Sequence, residues 1–235
     1  MLTYKTYKND EKEGELRLKT LIGIPCRGKV HTAFSASLLG MRRVGETHYD
    51  FKQSTMIFDG RNEIAVDAIT SGADRVMMID TDMTFKPDMM ERMSARLDEG
   101  CEMVCGIFFR RVTPTAPVIF TKLQPPILAD DGKTKIRQVV EYRKYPKDSL
   151  FPVEGCGFGA VMMTTDLIKD VWDHYGAAFA PTDWCGEDMA FCYRARQLGH
   201  LIWCDSSIKV GHIGDYEYNE RTYLQQLKMA MEEKK

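Results

Sequence analysis

Apolar positions along the chain change their period several times, and each change marks an element. Residues 21–24 form a short apolar run closed by Pro25, the pattern of a buried strand. Residues 30–40 follow with Phe34, Leu38 and Leu39 on one helical face. Residues 47–52 read as a second strand. Residues 61–70 read as a helix that turns Ile64, Ala65, Ala68 and Ile69 inward and stops at Gly72. Residues 76–79 are another apolar strand, running straight into Asp80-Thr81-Asp82. Pro87 suits the first turn of a helix reaching Leu97, with Met89, Met90 and Met93 inward, and 102–108 return as a strand. Strand and helix therefore alternate over 20–110, which predicts an α/β fold: a parallel sheet with helices on its faces.

The texture changes after residue 110. Pro114, Pro117, Pro125 and Pro126 break the pattern, and 117–122 and 135–142 read as antiparallel strands around the turn Asp130-Asp131-Gly132. Residues 155–163 are glycine-rich and then apolar. Residues 165–175 predict a helix with Leu167, Ile168, Val171 and Trp172 inward, capped by Gly176. A helix over 187–198 closes at Gly199, and 201–204 read as a last strand. Tyr223, Leu224, Leu227 and Met231 predict a helix within 217–232 that packs on its own domain, with a homodimer contact left open. Residues 1–19, dominated by charge and without a period, read as a mobile arm.

Composition narrows the class. The 235 residues are 44% hydrophobic and 28% charged, which excludes wholesale disorder. Lys and Arg number 32 against 34 Asp and Glu, a net charge of −2. That argues against non-specific binding to nucleic acid or membrane surfaces, though a local basic patch stays compatible with it. No apolar run approaches the ~18 residues of a membrane-spanning helix, and residues 1–20 lack an apolar signal core. Seven cysteines, an odd number without a CxxC, predict free buried thiols in a reducing, cytoplasmic setting.

Several short patterns carry candidate chemistry. Asp80-x-Asp82 follows a strand, at the sheet edge where open α/β sheets bind ligands, and two carboxylates there suit a hard divalent cation. The same residues in Asp80-Thr81-Asp82-Met83-Thr84 fit the D-x-D-x-T of haloacid dehalogenase-like phosphohydrolases, although that motif normally sits on a first strand. Gly23 to Val30 match a phosphate loop up to Lys29, but Val30 lacks the hydroxyl that binds Mg²⁺, which leaves a degenerate P-loop NTPase. Gly155, Gly157 and Gly159 would admit a close ligand, or simply a tight turn. Glu187-Asp188 opens a helix, where capping alone explains two acids. His212 stands by itself after a short strand.

Taken in order, IGIPCRG, GRNEIAVDAI, VMMIDTDMTF, EGCGFGAVMM, GEDMAFCYRARQLGH and IKVGHIG resemble the GT-A-fold, nucleotide-sugar-dependent glycosyltransferases, in particular small family-2-like members of bacteria and phages. The resemblance spans roughly residues 20–215. It implies one GT-A domain, a Rossmann-like mixed sheet flanked by helices, with 20–110 as the nucleotide-binding half and 111–215 as the acceptor and catalytic half, followed by a C-terminal helix over 216–235. It further implies that Pro25, Cys26 and Arg27 edge a nucleotide pocket that Arg61 and Asn62 face. Asp80 would meet ribose or metal, Asp82 and His212 would bind the metal (Mn²⁺ or Mg²⁺), and Gly155 and Gly157 would shape the sugar site. Asp188 would be the base of an inverting transfer with Glu187 beside it, and Trp184 would stack on a sugar. The implied partner is a nucleoside-diphosphate sugar; the acceptor is undefined. A phosphohydrolase, an NTPase and a non-catalytic nucleotide- or sugar-binding module on the same frame are the competing readings.

Overall fold

The apolar strand Arg75–Ile79 is buried along its whole length, with Val76 and Met78 on one face and Met77 and Ile79 on the other. This two-sided burial sets the architecture. The computed structural model describes residues 18–214 and 217–232. Its elements are β1 (Lys19–Cys26), α1 (Thr32–Gly40), β2 (Glu46–Gln53), α2 (Ile57–Ser71), β3 (Arg75–Ile79), β4 (Met83–Phe85), α3 (Met89–Asp98), β5 (Met103–Ile107), β6 (Ile119–Leu128), β7 (Lys135–Glu141), β8 (Leu150–Val153), β9 (Gly155–Cys156), β10 (Ala160–Thr164), α4 (Thr165–Tyr175), α5 (Glu187–Gln197), β11 (Ile202–Ile213), β12 (Glu217–Tyr218) and α6 (Glu220–Glu232).

The main sheet runs β12-β11-β5-β10-β3-β1-β2, with β4 and β8 also paired to β11. The pairs β1–β2, β1–β3 and β5–β11 are parallel, while β10 lies antiparallel between β3 and β5. One face carries α2, α4 and α5 through Ile64, Ala68, Leu167, Ile168 and Phe191; the other carries α1 and α3 through Phe34, Met89, Met90 and Met93. β7, β6 and β9 form a small antiparallel sheet. The expected α/β class, with a mixed sheet, flanking helices and a small antiparallel region, is the architecture found. No helix among the described residues is long and apolar enough to cross a membrane.

Several details differ from the sequence expectations. Leu39, expected inward, is 88% exposed, because α1 buries only Phe34. The strand expected over 201–204 is instead the twelve residues of β11, and it already carries His212. Polar Asp205 and Ser206 hid its continuity. They are buried but satisfied: Asp205 accepts from Arg96 Nε at 2.8 Å, and the Ser206 hydroxyl donates to Pro146 O at 2.6 Å. α6 begins at Glu220 and buries only Tyr223, leaving Leu224, Leu227 and Met231 exposed. Lys19, placed in the arm, opens β1; the rest of the expected arm up to residue 17 lies outside the described residues. Gly23 lies inside β1, where a Cβ would come within 2.3 Å of Ile64 Cγ2 on α2. It is a packing glycine rather than the start of a phosphate loop.

Candidate functional site

The site is built where β3 ends. Asp80 N–H donates to Gly159 O at 3.0 Å, and the turn that follows leads into β4. β4 pairs with β11 so that Met83 stands opposite His212, and Ile213 N–H donates to Asp82 O at 2.8 Å. His212 Nε2 thereby lies 3.5 Å from Asp82 Oδ2. Its other nitrogen, Nδ1, is 2.9 Å from Phe109 O. A carbonyl only accepts, so Nδ1 carries a proton; in a neutral ring, Nε2 then points a lone pair at the carboxylate. Two acceptors facing each other call for a cation between them: a proton on Nε2 or a bound metal. Arg111 Nη1, 2.8 Å from the same Oδ2, adds positive charge. Burial pushes the Asp82 carboxyl up, but His212 and Arg111 outweigh it and hold it below its usual value.

Beneath this pair lies Arg61 of α2, with only 2% of its side chain exposed. Nη1 donates to Glu187 Oε1 at 2.5 Å and Nη2 to Asp80 Oδ1 at 2.8 Å, while the guanidinium carbon sits 5.4 Å from the centre of the Phe158 ring. Arg61 Nε has no hydrogen-bond partner among the described residues. Burial disfavours the charge, but the carboxylates of Asp80, Asp188 and Glu187 reverse that and raise the Arg61 pKa. Asp80 shifts upward, through burial that its bond to Arg61 only partly offsets.

Asp188 differs from Glu187. It opens α5, half-buried, with Oδ1 accepting the Met189 N–H at 2.7 Å. Burial first, then the like charges of Glu187 and Asp80, push its pKa up to about 6 against the pull of Arg61. One cleft of about 840 Å³ brings Asp188 together with Asp80, Asp82, Gly157 and His212. A second, of about 460 Å³, is lined by Pro25, Cys26, Arg27 and Lys29 and shares Asp80, Asp82, Arg111 and His212 with the first.

Five expected residues line neither cleft: Asn62, Trp184, Gly155, Arg61 and Glu187, the last held by Arg61. Asn62 Oδ1 accepts from Phe179 N–H at 2.8 Å and ties α2 to the loop before α5. It lines a different cleft with Trp172. Trp184 packs edge-on against Tyr193 at 5.4 Å and lines neither of the two clefts. Gly155 is buried in β9, where a Cβ would come within 2.6 Å of Leu123 Cδ2, so packing accounts for it. Arg61 reaches neither cleft wall; it anchors the carboxylates from below. Residues the sequence reading passed over are Arg111, Lys52 and Ser54. Arg111 had one signal: Arg110-Arg111 follow β5 within a few residues, at the ligand-binding edge of the sheet.

Among the described residues no group of three or more His, Cys, Asp or Glu side chains stands ready to hold a metal. Asp80 is turned toward Arg61, so the expected trio with Asp82 and His212 is not assembled. Asp82 and His212 do fit two adjacent positions around one ion with ligands about 2.1 Å away. His212 also has the carbonyl partner on its second nitrogen that metal-binding histidines usually have.

No family model and no curated protein matches the chain. Solved structures do. A197 from STIV aligns with a TM-score of 0.55 at 20% identity, over 84% of this chain and 86% of that one. GalNAc-T7, solved with UDP, GalNAc and Mn²⁺, aligns with a TM-score of 0.54 at 9% identity, over 92% of this chain. The chain spans about half (48%) of the GalNAc-T7 chain. At these identities the likeness is one of fold: the chain has a GT-A-like fold.

Proposed function

We propose that the protein is a metal-dependent glycosyltransferase that moves a sugar from a nucleoside-diphosphate sugar to an acceptor hydroxyl with inversion. The observation that carries this reading is the shared cleft, with the cation-ready Asp82–His212 pair and the separate carboxyl Asp188, whose pKa is about 6. A bound Mn²⁺ or Mg²⁺ supplies charge neutralisation of the diphosphate leaving group. Asp82 and His212 would hold it. Asp188 accepts the acceptor hydroxyl's proton as that oxygen attacks the anomeric carbon, a step typically worth about 10²–10⁴-fold. Arg61 keeps Glu187 occupied, so Asp188 alone serves as base. Pro25, Cys26 and Arg27 edge the nucleotide. The presence of UDP and Mn²⁺ in the GalNAc-T7 structure makes UDP the first donor base to try.

Other phosphate chemistry finds less support. Gly23 is spent on packing inside β1, and Asp80-x-Asp82 follows the third strand of the chain. Free thiols at all seven cysteines suit a cytoplasmic location.

The test is a thermal-shift panel of nucleoside diphosphates with and without Mn²⁺, followed by donor hydrolysis and transfer assays. A diphosphate at about 100 times its Kd stabilises by roughly 2.7 kcal/mol. A shift for one diphosphate that needs Mn²⁺ supports the reading. A shift with ATP and Mg²⁺ alone points to an NTPase. Binding without turnover points to a sugar-binding module.

A further inference from the structure

β2 ends the main sheet, and among the described residues no strand pairs with its outer edge. Such an edge, eight residues long, is a template for another strand unless it is guarded. β2 instead offers two self-complementary faces. Tyr49 and Phe51, 39% and 49% exposed, stand in register with Ile22 and Ile24 on the face that carries Phe34. The opposite face alternates Glu46, His48, Asp50 and Lys52. Turned antiparallel on itself about Tyr49, this strand sets Glu46 against Lys52 and His48 against Asp50, each twice, with Tyr49 on the axis. A two-fold interface needs a patch that complements itself in this way.

The present partners leave room for this. Lys52 Nζ is 3.2 Å from Asp50 Oδ1 and also pairs with Asp67. Asp50 Oδ2 is buried with no hydrogen-bond partner among the described residues. His48, bonded to Glu46 through Nε2 at 2.6 Å, keeps its second nitrogen for a neighbour.

We propose that two copies of this chain join edge to edge through β2, antiparallel about Tyr49, to form one continuous sheet. This goes beyond the glycosyltransferase reading and does not rest on it. Residues directly opposite in such a pair have Cα atoms about 4.5–5.5 Å apart, within the range a disulfide spans. Thr47 faces Phe51 of the other copy, so two Thr47 positions stand four residues apart along the ladder, roughly 13 Å.

The experiment compares oxidative cross-linking of full-length Tyr49→Cys and Thr47→Cys, with sedimentation of the wild type over a concentration series. Six of the seven native cysteines are buried, and the wild type under the same oxidant sets the background. The expected result is reversible dimerisation of the wild type and cross-linking of Tyr49→Cys more than about tenfold faster than Thr47→Cys. Glu46→Lys, which sets like charges opposite one another twice, weakens the dimer by roughly tenfold. A wild type that stays monomeric throughout, equal cross-linking of the two cysteine variants, or a dimer indifferent to Glu46→Lys and Phe51→Lys overturns the proposal. The last result moves the interface elsewhere, for example to the exposed face of α6.

Discussion

Arg61 on α2 donates to Glu187 on α5 at 2.5 Å across 126 residues of sequence, and so gives two adjacent acids different fates. Glu187 is neutralised by a buried cation, whereas Asp188 faces the cleft with its pKa near 6.

Asp188→Asn is expected to lower kcat by about 10²–10⁴-fold while Mn²⁺-dependent diphosphate binding persists. For the proposed transfer by the wild type, kcat/KM is expected to rise with pH through about 6 as Asp188 loses its proton. The same carboxyl acts on stability in the opposite direction. Its folded pKa lies above the unfolded value of ~3.9, so its favourable contribution is complete below that pH and is lost as pH rises through about 6. Asp188→Asn is therefore more stable than the wild type at neutral pH. Melting curves check this, since each kcal/mol regained adds roughly 2–4 °C in a chain of this size.

Asp82→Ala and His212→Ala each remove the Mn²⁺-dependent part of the thermal shift. Arg111→Ala leaves the two acceptors facing each other, and so keeps a shift that needs the cation. A calorimetric titration of Mn²⁺ in the presence of UDP separates the three variants. Retention of full cation dependence in Asp82→Ala would remove the pair from the metal site.

Arg61→Met strips the counter-charge from Asp80, Glu187 and Asp188. Leaving a buried ion uncompensated costs about 3–5 kcal/mol, and the variant should melt lower by that amount. The loss shrinks in acid, where the stranded carboxylates take up protons. Urea midpoints at neutral and acid pH measure both effects. Arg61→Lys, which cannot span Glu187 and Asp80 with one ammonium, recovers only part of the stability.

His200 supplies a pH dependence away from the site. Nδ1 and Nε2 lie 2.9 Å from Glu102 and Asp170 respectively. Burial lowers its pKa, but the two carboxylates more than offset this and raise it. The stabilisation is complete below the unfolded value of ~6.5 and is lost as pH rises through the folded pKa. His200→Ala should lose more stability at about pH 6 than at about pH 9, where a neutral ring can donate to only one acid. Equal losses at both pH values would contradict the bridge.

The alternation of apolar runs located the strands and helices of the first half well, because β1, β3 and β5 are buried on both faces and read as unbroken apolar stretches. What eluded the sequence depended on partners distant along the chain. β4 is three residues long and exists because β11 pairs with it. Pro125 and Pro126 lie inside β6, where the register with β7 shifts between Gln124 and Ile127 and no ladder bond is needed. At the site, Asp82 and His212 were visible as metal-binding residue types, and Asp188 as an acid opening a helix. That Arg61 would be buried under them, and that Asn62 would turn to Phe179, follows from how α2 lies against α5 and its preceding loop, which no local pattern encodes.

Phe109 has two duties that meet in one residue. Its carbonyl holds Nδ1 of His212, and its ring stacks on Tyr223 of α6 at 5.0 Å with 27° between the planes. Tyr223 is also the one residue that α6 buries, and its hydroxyl donates to Arg143 O at 2.9 Å. Trimming α6 by protease or by a stop codon before Tyr223 would thus slacken the carbonyl that orients the imidazole. Under the proposed metal site, the damage would surface as a cation bound more weakly although Asp82 and His212 are both intact.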